Sequence, residues 1–216
     1  LAHHVRVFQP ASYSTLDTTV TAMTDDLFNE AVPRAGATGR IQLSFFPDVA
    51  IDRAVEGLEG SFDYLGLNYY TRDYIRTDLT SASLSNQYVP PGRPVNDLGW
   101  DIYPEGLYML LSRFAHYGWP IYVTENGIAD RVGTVRPSYL RSHFYALQLA
   151  AQRGVDVRGY FHWSLLDNFE WTEGYTGRFG LYGIDFDNDP LLTRTPTEAV
   201  AAFQDIARNL GLTPGP

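Results

Sequence analysis

The chain has 216 residues, with 16 Lys or Arg against 25 Asp or Glu, which gives a formal charge of −9 at pH 7. A surface this acidic argues against a nucleic-acid or anionic-membrane partner, because phosphate groups repel it. The sequence has no cysteine, which excludes thiol nucleophiles, thiolate metal sites and disulfides, and no apolar run approaches the ~18 residues of a transmembrane helix.

Short apolar runs alternate along the chain with segments in which apolar residues recur at steps of three and four. The recurring steps are the signature of one helix face, and the short runs are typical of buried strands. The predicted order is strand 2–8, helix 16–31 (ended by Pro33 and Gly36), helix 50–58, strand 62–70, loop 77–99, helix 104–114, strand 121–124, helix 140–151, strand 157–163 and helix 196–210.

This alternation predicts an α/β fold with a parallel sheet and four βα units. Four units fit a small doubly-wound sheet or half of an eight-stranded α/β barrel, and periodicity alone does not separate the two. In a barrel the chemistry would gather just past the carboxyl ends of the strands. Residues 77–99 are rich in Ser, Pro, Gly and Asn, and we expect one long loop near that rim, a length that is usually functional or disordered.

Glu125 is the sharpest single candidate for chemistry. It directly follows a predicted apolar strand and precedes Asn126-Gly127, a pair that suggests a tight turn. A structural carboxylate would do no more than cap such a turn or pair with an arginine. A nucleophile or base would need donors on one oxygen while the other stays free, and Tyr70 and Asn68 at the end of strand 62–70 could supply them.

Trp163, Glu170 and Trp171 form a second group after the last predicted strand. An indole can cover the apolar face of a sugar ring, and a carboxylate can accept hydrogen bonds from two hydroxyls. Core packing is the alternative, because Trp is highly buried on average.

The other polar residues carry weaker signals. His116 and His143 fall on predicted helices, and His162 is expected to pack between layers. Asp185, Asp187 and Asp189 alternate as in a calcium loop but lack its glycine and distal Glu, so a solvated turn is expected. No metal-ligand spacing and no glycine-rich phosphate loop are present, so neither a metal nor a cofactor is predicted.

Several segments resemble motifs of family 1 glycoside hydrolases, the β-glucosidase and β-galactosidase family. The match is close over residues 62–186. It is looser over 1–61, where 2–12 resembles the fifth strand of the barrel. It is partial beyond 186, where Thr197 stands in place of the usual lysine. The segments are 122–127 (YVTENG, similar to the nucleophile motif), 62–71 (FDYLGLNYYT, the strand-six motif), 162–171 (HWSLLDNFEW) with 173–175 and 178–181 (the strand-eight signature), and 194–196 (the closing segment).

The resemblance implies a retaining β-glycosidase with a (β/α)8 TIM barrel, of which residues 1–216 supply the C-terminal half. The substrate would be a β-linked or aryl glucoside or galactoside. Glu125 would be the nucleophile and Tyr70 would orient it. The implied substrate-binding residues are Asn68 at the 2-hydroxyl, Trp163 under the ring, Glu170 at the outer hydroxyls, Trp171 at the 3-hydroxyl, Phe179 near the 6-position and His4 facing the leaving group.

One departure from the family concerns the second carboxyl group. A retaining glycosidase needs two carboxyl groups about 5–5.5 Å apart. The family's acid/base lies in an Asn-Glu-Pro motif ending strand four, which this sequence lacks, since Asn29-Glu30 is followed by Ala31. The sequence thus resembles strands five to eight only.

Half a barrel would expose two sheet edges and an apolar inner layer. We therefore expect association with a complementary N-terminal half, which could be a separate chain, the other piece of a cleaved enzyme or a second copy of this chain. The N-terminus lacks Met and any signal-peptide pattern, so it reads as the middle of a longer sequence with a cytoplasmic location.

Two other interpretations stay open at this point. A non-catalytic sugar-binding fragment would keep sugar affinity after Glu125→Gln, whereas an enzyme would lose activity. A small doubly-wound domain of unrelated function would be a compact monomer.

Overall fold

The computed structural model describes residues 1–45 and 49–209. Its elements in chain order are β1 (Ala2–Pro10), α1 (Thr15–Asp25), a π-helical turn (Asp26–Glu30), α2 (Ala31–Thr38), β2 (Arg40–Phe45), β3 (Val49–Ala54), β4 (Leu65–Thr77), β5 (Ser85–Tyr88), α3 (Pro104–Phe114), a 3₁₀ turn (Ala115–Tyr117), β6 (Ile121–Asn126), α4 (Arg136–Gln152), β7 (Val157–His162), a 3₁₀ turn (Trp171–Glu173), β8 (Tyr182–Gly183), β9 (Thr195–Pro196) and α5 (Glu198–Asn209).

A five-stranded sheet organises the molecule. Four strands lie in the order β1-β4-β6-β7, each parallel to its neighbour, and β5 is added antiparallel to the far end of β4. Parallel neighbours require crossover connections, which the helices between them provide. The predicted parallel sheet with four βα units is therefore confirmed.

The main core lies between this sheet and the helices on one of its faces. Leu65, Leu67 and Tyr69 alternate along β4 with residues of the opposite face, and all three are fully buried against α3 and α4. A smaller cluster joins α4 to α5 around Phe144 and Ile206. The opposite face of β4 carries Asn68 and Tyr70, so the polar side chains of this strand lie away from the helices.

The predicted end of the first helix at Pro33 is wrong, because the helical path continues through α2 to Thr38. A π-helical turn precedes α2, and the Ala31 N–H donates to the carbonyl of Asp26, five residues back. Pro33 then falls in the first turn of α2, where its missing N–H is not needed. Gly36 does not end the helix either, because it lies inside α2. The residue is a glycine there because a Cβ would collide with the ring of Phe62. The helix ends at Gly39, which has a φ of +68°.

The predicted helix 50–58 is also wrong, because β2 and β3 form an antiparallel hairpin. The strand predicted over 62–70 begins later, at Leu65, and extends to Thr77. The segment 77–99 includes β5 and is not loop throughout. The last helix begins at Glu198, two residues later than predicted, and Leu210, its predicted end, lies outside the described residues.

Within the described ranges, β1 pairs only with β4 and β7 only with β6, so each has one open edge. The Asn29 side chain covers one point of the β1 edge, accepting from the Arg6 N–H at 3.0 Å and donating to the Arg6 carbonyl at 2.8 Å. Among the helices that the structure describes, none is both long and apolar enough to cross a lipid bilayer.

Candidate active site

The carboxyl ends of three neighbouring strands meet at one edge of the sheet. The register pairs Asn68 of β4 with Glu125 of β6, and Asn126 of β6 with His162 of β7. The Trp163 N–H, one residue past β7, donates to the Asn126 carbonyl at 3.0 Å. The segments that resemble family motifs are thus brought together where barrel enzymes keep their chemistry.

A β-bulge in β6 sets the direction of Glu125. The pairing with β4 moves from Leu67–Val123 to Asn68–Glu125, which leaves one extra residue, Thr124, on β6. The Thr124 hydroxyl donates to Asn68 Oδ1 at 2.6 Å, and Glu125 contacts Tyr70. Since Asn68 and Tyr70 share one face of β4, two successive residues of β6 reach that face, which regular alternation forbids.

The Tyr70 hydroxyl donates to Glu125 Oε2 at 2.7 Å. Burial, followed by the Glu125 charge and this hydrogen bond, raises the pKa of Tyr70 far above its usual value, so the phenol stays a donor at any physiological pH. No described residue donates to the other carboxylate oxygen. Glu125 is half-buried and therefore has one oxygen fixed and one available.

Aromatic rings surround Tyr70. Trp100 and Phe179 meet its ring edge-on, with centroids 5.7 and 6.2 Å away, and His4 does so from β1 at 6.0 Å. Phe179 is almost fully buried behind Tyr70, while His4 is exposed on the open side. Although His4 is exposed, partial desolvation by its neighbours, followed by the Arg6 charge, lowers the pKa of the imidazole, which is therefore neutral near pH 7.

Trp163 and Glu170 are in direct contact. The Trp163 indole N–H donates to Glu170 Oε1 at 2.8 Å, and the second carboxylate oxygen has no donor in the described part of the chain. Trp171 is 86% exposed and has a φ of +39°, so its indole projects from the surface instead of entering the core. The core-packing alternative therefore does not hold for Trp171.

Two residues of this region escaped the sequence interpretation, and the role of a third was wrongly assigned. Trp100 packs against both Tyr70 and Phe179, and Thr124 binds Asn68. Gly127 is required by close approach and not by a tight turn, because a Cβ at this position would overlap the Trp163 carbonyl oxygen. The Asn-Gly pair was the available signal, although its physical reason was different.

Buried polar groups fix the loops behind the site. The Asp167 carboxylate accepts from the N–H groups of Gly180 and Ile184. The Arg136 guanidinium donates to the carbonyls of Asp130 and Arg178 at 2.7 and 2.6 Å, which joins the loop after β6 to the segment after β7. Both side chains are buried, so these contacts hold two loops in one arrangement.

The remaining predicted candidates lie elsewhere. His143 is fully buried and stacks on Tyr139, and His162 packs towards Phe203, as expected for a residue between layers. Burial lowers the pKa of these two histidines to about 3 and about 4. Asp185 accepts from the N–H groups of the turn that follows it. Ranges 1–45 and 49–209 hold no group of three or more potential metal ligands.

Glu30, the nearest sequence match to an Asn-Glu acid/base, lies away from this edge. Its two carboxylate oxygens accept from Arg113 Nε and from the Tyr117 hydroxyl, both at 2.6 Å. The carboxylate is thus held in an ion-pair network between the π-helical turn and α3.

Known proteins share the sequence pattern and the fold of this chain. The family model described as Glycosyl hydrolase family 1 matches residues 20–212. The chain is 42% identical over 173 residues to a β-galactosidase of Sulfolobus acidocaldarius, covering 73% of this chain and 33% of that protein. It also superimposes on a β-glycosidase from Pyrococcus horikoshii with a TM-score of 0.84 at 30% identity, over 96% of this chain and 47% of that one.

A β-glucosidase from Thermotoga maritima in complex with glucoimidazole gives a TM-score of 0.81 at 27% identity, over 99% of this chain and 51% of that one. The fold is part of a (β/α)8 barrel of the kind found in these glycosidases. The chain belongs to glycosyl hydrolase family 1. It spans about a third of the length of the curated relatives it matches and about half of the solved chains.

Proposed function

We propose that this chain provides the nucleophile side of a retaining β-glycosidase site, with Glu125 attacking the anomeric carbon to form a glycosyl-enzyme. The observation that carries the proposal is the 2.7 Å hydrogen bond from Tyr70 to Glu125 Oε2 beside a second oxygen without a donor. A nucleophilic carboxylate needs this combination, in which one oxygen is oriented and the other faces the substrate. Tyr70 is therefore proposed as the residue that orients it.

The sugar would lie over the rim between β4 and β7. Trp163 would form the floor under the ring, and Glu170, held by the Trp163 N–H, would accept from the outer hydroxyls with its second oxygen. The Asn68 oxygen is engaged by Thr124, which leaves its Nδ2 available to the 2-hydroxyl. Trp171 at the 3-hydroxyl, Phe179 near the 6-position and His4 facing the leaving group complete the proposal. The related Thermotoga maritima β-glucosidase binds glucoimidazole, which supports a sugar ligand.

The acid/base carboxyl would come from residues outside this sequence, about 5–5.5 Å from Glu125 as a retaining mechanism requires. Glu30 is already held by Arg113 and Tyr117 and does not serve. A complementary half barrel would bring that group to the open side of Tyr70, where His4 lies.

An activated 2-deoxy-2-fluoro-β-glucoside with a dinitrophenolate leaving group tests the nucleophile directly. Its leaving group departs without protonation, so labelling needs no acid/base carboxyl. We expect covalent attachment to Glu125, located by peptide mass spectrometry. Glu125→Gln should abolish labelling, while the exposed Glu173→Gln should label as the parent does. Labelling at another carboxylate, or none, would refute the proposal.

Sugar binding without catalysis is the second candidate function. The Trp163–Glu170 contact favours it, because neither residue depends on Glu125 for its position. Under this alternative Glu125→Gln would leave glucose affinity unchanged in calorimetry, and the unsubstituted chain would turn over no glycoside and take up no label.

A further inference from the structure

We infer that Asn126 is a positioning residue: its buried amide holds the β6 bulge that directs Glu125 to the sugar-facing side of the sheet. The inference rests on the proposed role of Glu125 as nucleophile. It concerns a side chain that faces away from the substrate and acts through its neighbour.

The Asn126 side chain is fully buried and joins three elements. Its Nδ2 donates to the Tyr69 carbonyl of β4 at 2.7 Å and to the Tyr139 hydroxyl of α4 at 2.9 Å. Its Oδ1 accepts from the Tyr160 hydroxyl of β7 at 2.9 Å. One amide thus fixes its strand to both neighbouring strands and to the helix behind them.

These contacts lie at the bulge itself. The pairing of β6 with β7 moves from Val123–Tyr160 to Asn126–His162. Strand β6 therefore has one extra residue relative to β7, as it has relative to β4. Bulges disrupt the ladder locally, and the strand regains its register only after them. Asn126 is the first residue past the bulge, and its contacts keep the strand from slipping back by one residue.

A slip of one residue would turn Glu125 away from Tyr70, because neighbouring side chains of a strand point to opposite faces. The amide suits this position because it both donates and accepts. A carboxylate would lose the bond to the Tyr69 carbonyl, because it has no donor, and a leucine would leave all the buried partners unpaired.

Replacing Asn126 itself risks unfolding, so the first test removes single hydroxyls from its partners. Tyr160→Phe takes away the donor to Oδ1 and Tyr139→Phe takes away an acceptor of Nδ2, each with little change of shape. Tyr145→Phe is the matched control, since Tyr145 lies on the same helix as Tyr139 but is exposed. The measured quantities are the maximal rate of labelling by the fluoroglucoside, the concentration that gives half that rate, and the melting temperature.

We expect Tyr139→Phe and Tyr160→Phe to lower the maximal labelling rate at least about 10-fold, since a displacement of about 1 Å costs about 10²-fold. The half-saturating concentration should stay near the parent value, because the sugar contacts are untouched. A lower melting temperature with the labelling rate of the parent would overturn the inference, since it would show a structural role alone.

Crystal structures of the parent and Tyr160→Phe proteins give a readout independent of labelling. The Tyr70 Oη to Glu125 Oε2 distance should lengthen from 2.7 Å to beyond hydrogen-bond range in the variant. An unchanged distance would overturn the inference. If the parent protein takes up no label, the proposed nucleophile fails, and this distance still decides whether the Asn126 amide positions Glu125.

Discussion

The phenol of Tyr70 is the only described group that donates to the Glu125 carboxylate. Tyr70→Phe keeps the ring contacts with Trp100 and Phe179 and removes one hydroxyl. A hydrogen bond to a charged group contributes about 1.5–3 kcal/mol, so we expect kcat/KM for an aryl β-glucoside to fall about 10- to 10²-fold. Steady-state kinetics measure this, with the exposed Tyr13→Phe as control. Equal values for parent and Tyr70→Phe would mean that another group orients the carboxylate.

A second prediction concerns His143, whose pKa burial lowers from 6.5 to about 3. Between these values the unfolded chain binds a proton that the folded chain does not, so stability is complete above pH 6.5 and is lost as the pH falls towards 3. At pH 4.5 this side chain should lower the free energy of unfolding by about 3 kcal/mol. His143→Phe should reduce the difference in unfolding free energy between pH 7 and pH 4.5, measured in urea, by about that amount.

His116→Phe provides the control for this pH measurement, because His116 is exposed on the neighbouring helical turn. It should leave the pH dependence as in the parent. A His143→Phe protein with the pH dependence of the parent would show that other groups cause the acid sensitivity.

Residue identities on the strand ends were predictable, whereas their directions were not. The motif around Glu125 and the presence of a phenol on the next strand were visible in sequence. The bulge that turns Thr124 and Glu125 to one face was not, because a bulge is a property of pairing between strands and leaves no periodic signal in one of them. Trp100 was missed for a related reason: it contacts Tyr70 from a loop.

At the scale of elements, the contrast between the two halves of the chain is informative. Residues 104–163 follow the predicted order of helix and strand closely, because their apolar faces repeat cleanly and glycines end them. The hairpin of β2 and β3 was missed although Arg40, Gln42 and Ser44 alternate with Ile41 and Leu43, a period of two. Six residues of alternation are a weak signal, and the apolar residues after Ala50 recur at a spacing that is typical of a helix.

Arg136 joins two loops that are also connected by one backbone hydrogen bond, from the Asp130 N–H to the Arg178 carbonyl at 2.8 Å. The side chain is 1% exposed, and its two donations satisfy the carbonyls of Asp130 and Arg178. Arg136→Gln would leave the Asp130 carbonyl unpaired and would remove one of the two donors to the Arg178 carbonyl, the other being the Asp130 N–H. A buried carbonyl without a partner costs about 1–3 kcal/mol. We expect the Arg136→Gln protein to unfold at a lower urea concentration than the Arg141→Gln protein, in which the substitution is at an exposed position of the same helix. Equal midpoints for the two variants would show that the loops are held by other contacts.

On the scale of the whole molecule, the side of the sheet that carries Asn68 and Tyr70 is aromatic and partly uncovered. Tyr64 and Tyr122 are in ring contact there, and Phe161 is 59% exposed. Large apolar side chains gathered beside an open strand edge are typical of a surface that another protein segment covers. This is the feature that supports association, and neither periodicity nor composition revealed which side chains it would involve.

We therefore expect the 216-residue chain, mass 24.3 kDa, to be found in a larger non-covalent species. Native mass spectrometry measures this, and denaturation separates the species into this chain and its partner, a complementary half barrel or a second copy. Phe161→Ser should weaken the complex, and Phe169→Ser, an equally exposed aromatic beyond β7, should do so less. A single species of 24.3 kDa would contradict the proposed association.

Because of the Asn29 amide, the two open strand edges differ in how many neighbouring backbone groups are free to pair with another strand. By occupying both backbone groups of Arg6, it divides the β1 edge into stretches of four residues, 2–5 and 7–10. In the described part of the chain, the Val157 N–H donates to the Val155 carbonyl, and no side chain bonds to the backbone of β7, so the rest of that edge offers a continuous row of donors and acceptors. Fibrils grow by adding strands to such rows. Under stress, aggregation of the unpartnered chain should begin at β7 and spare β1.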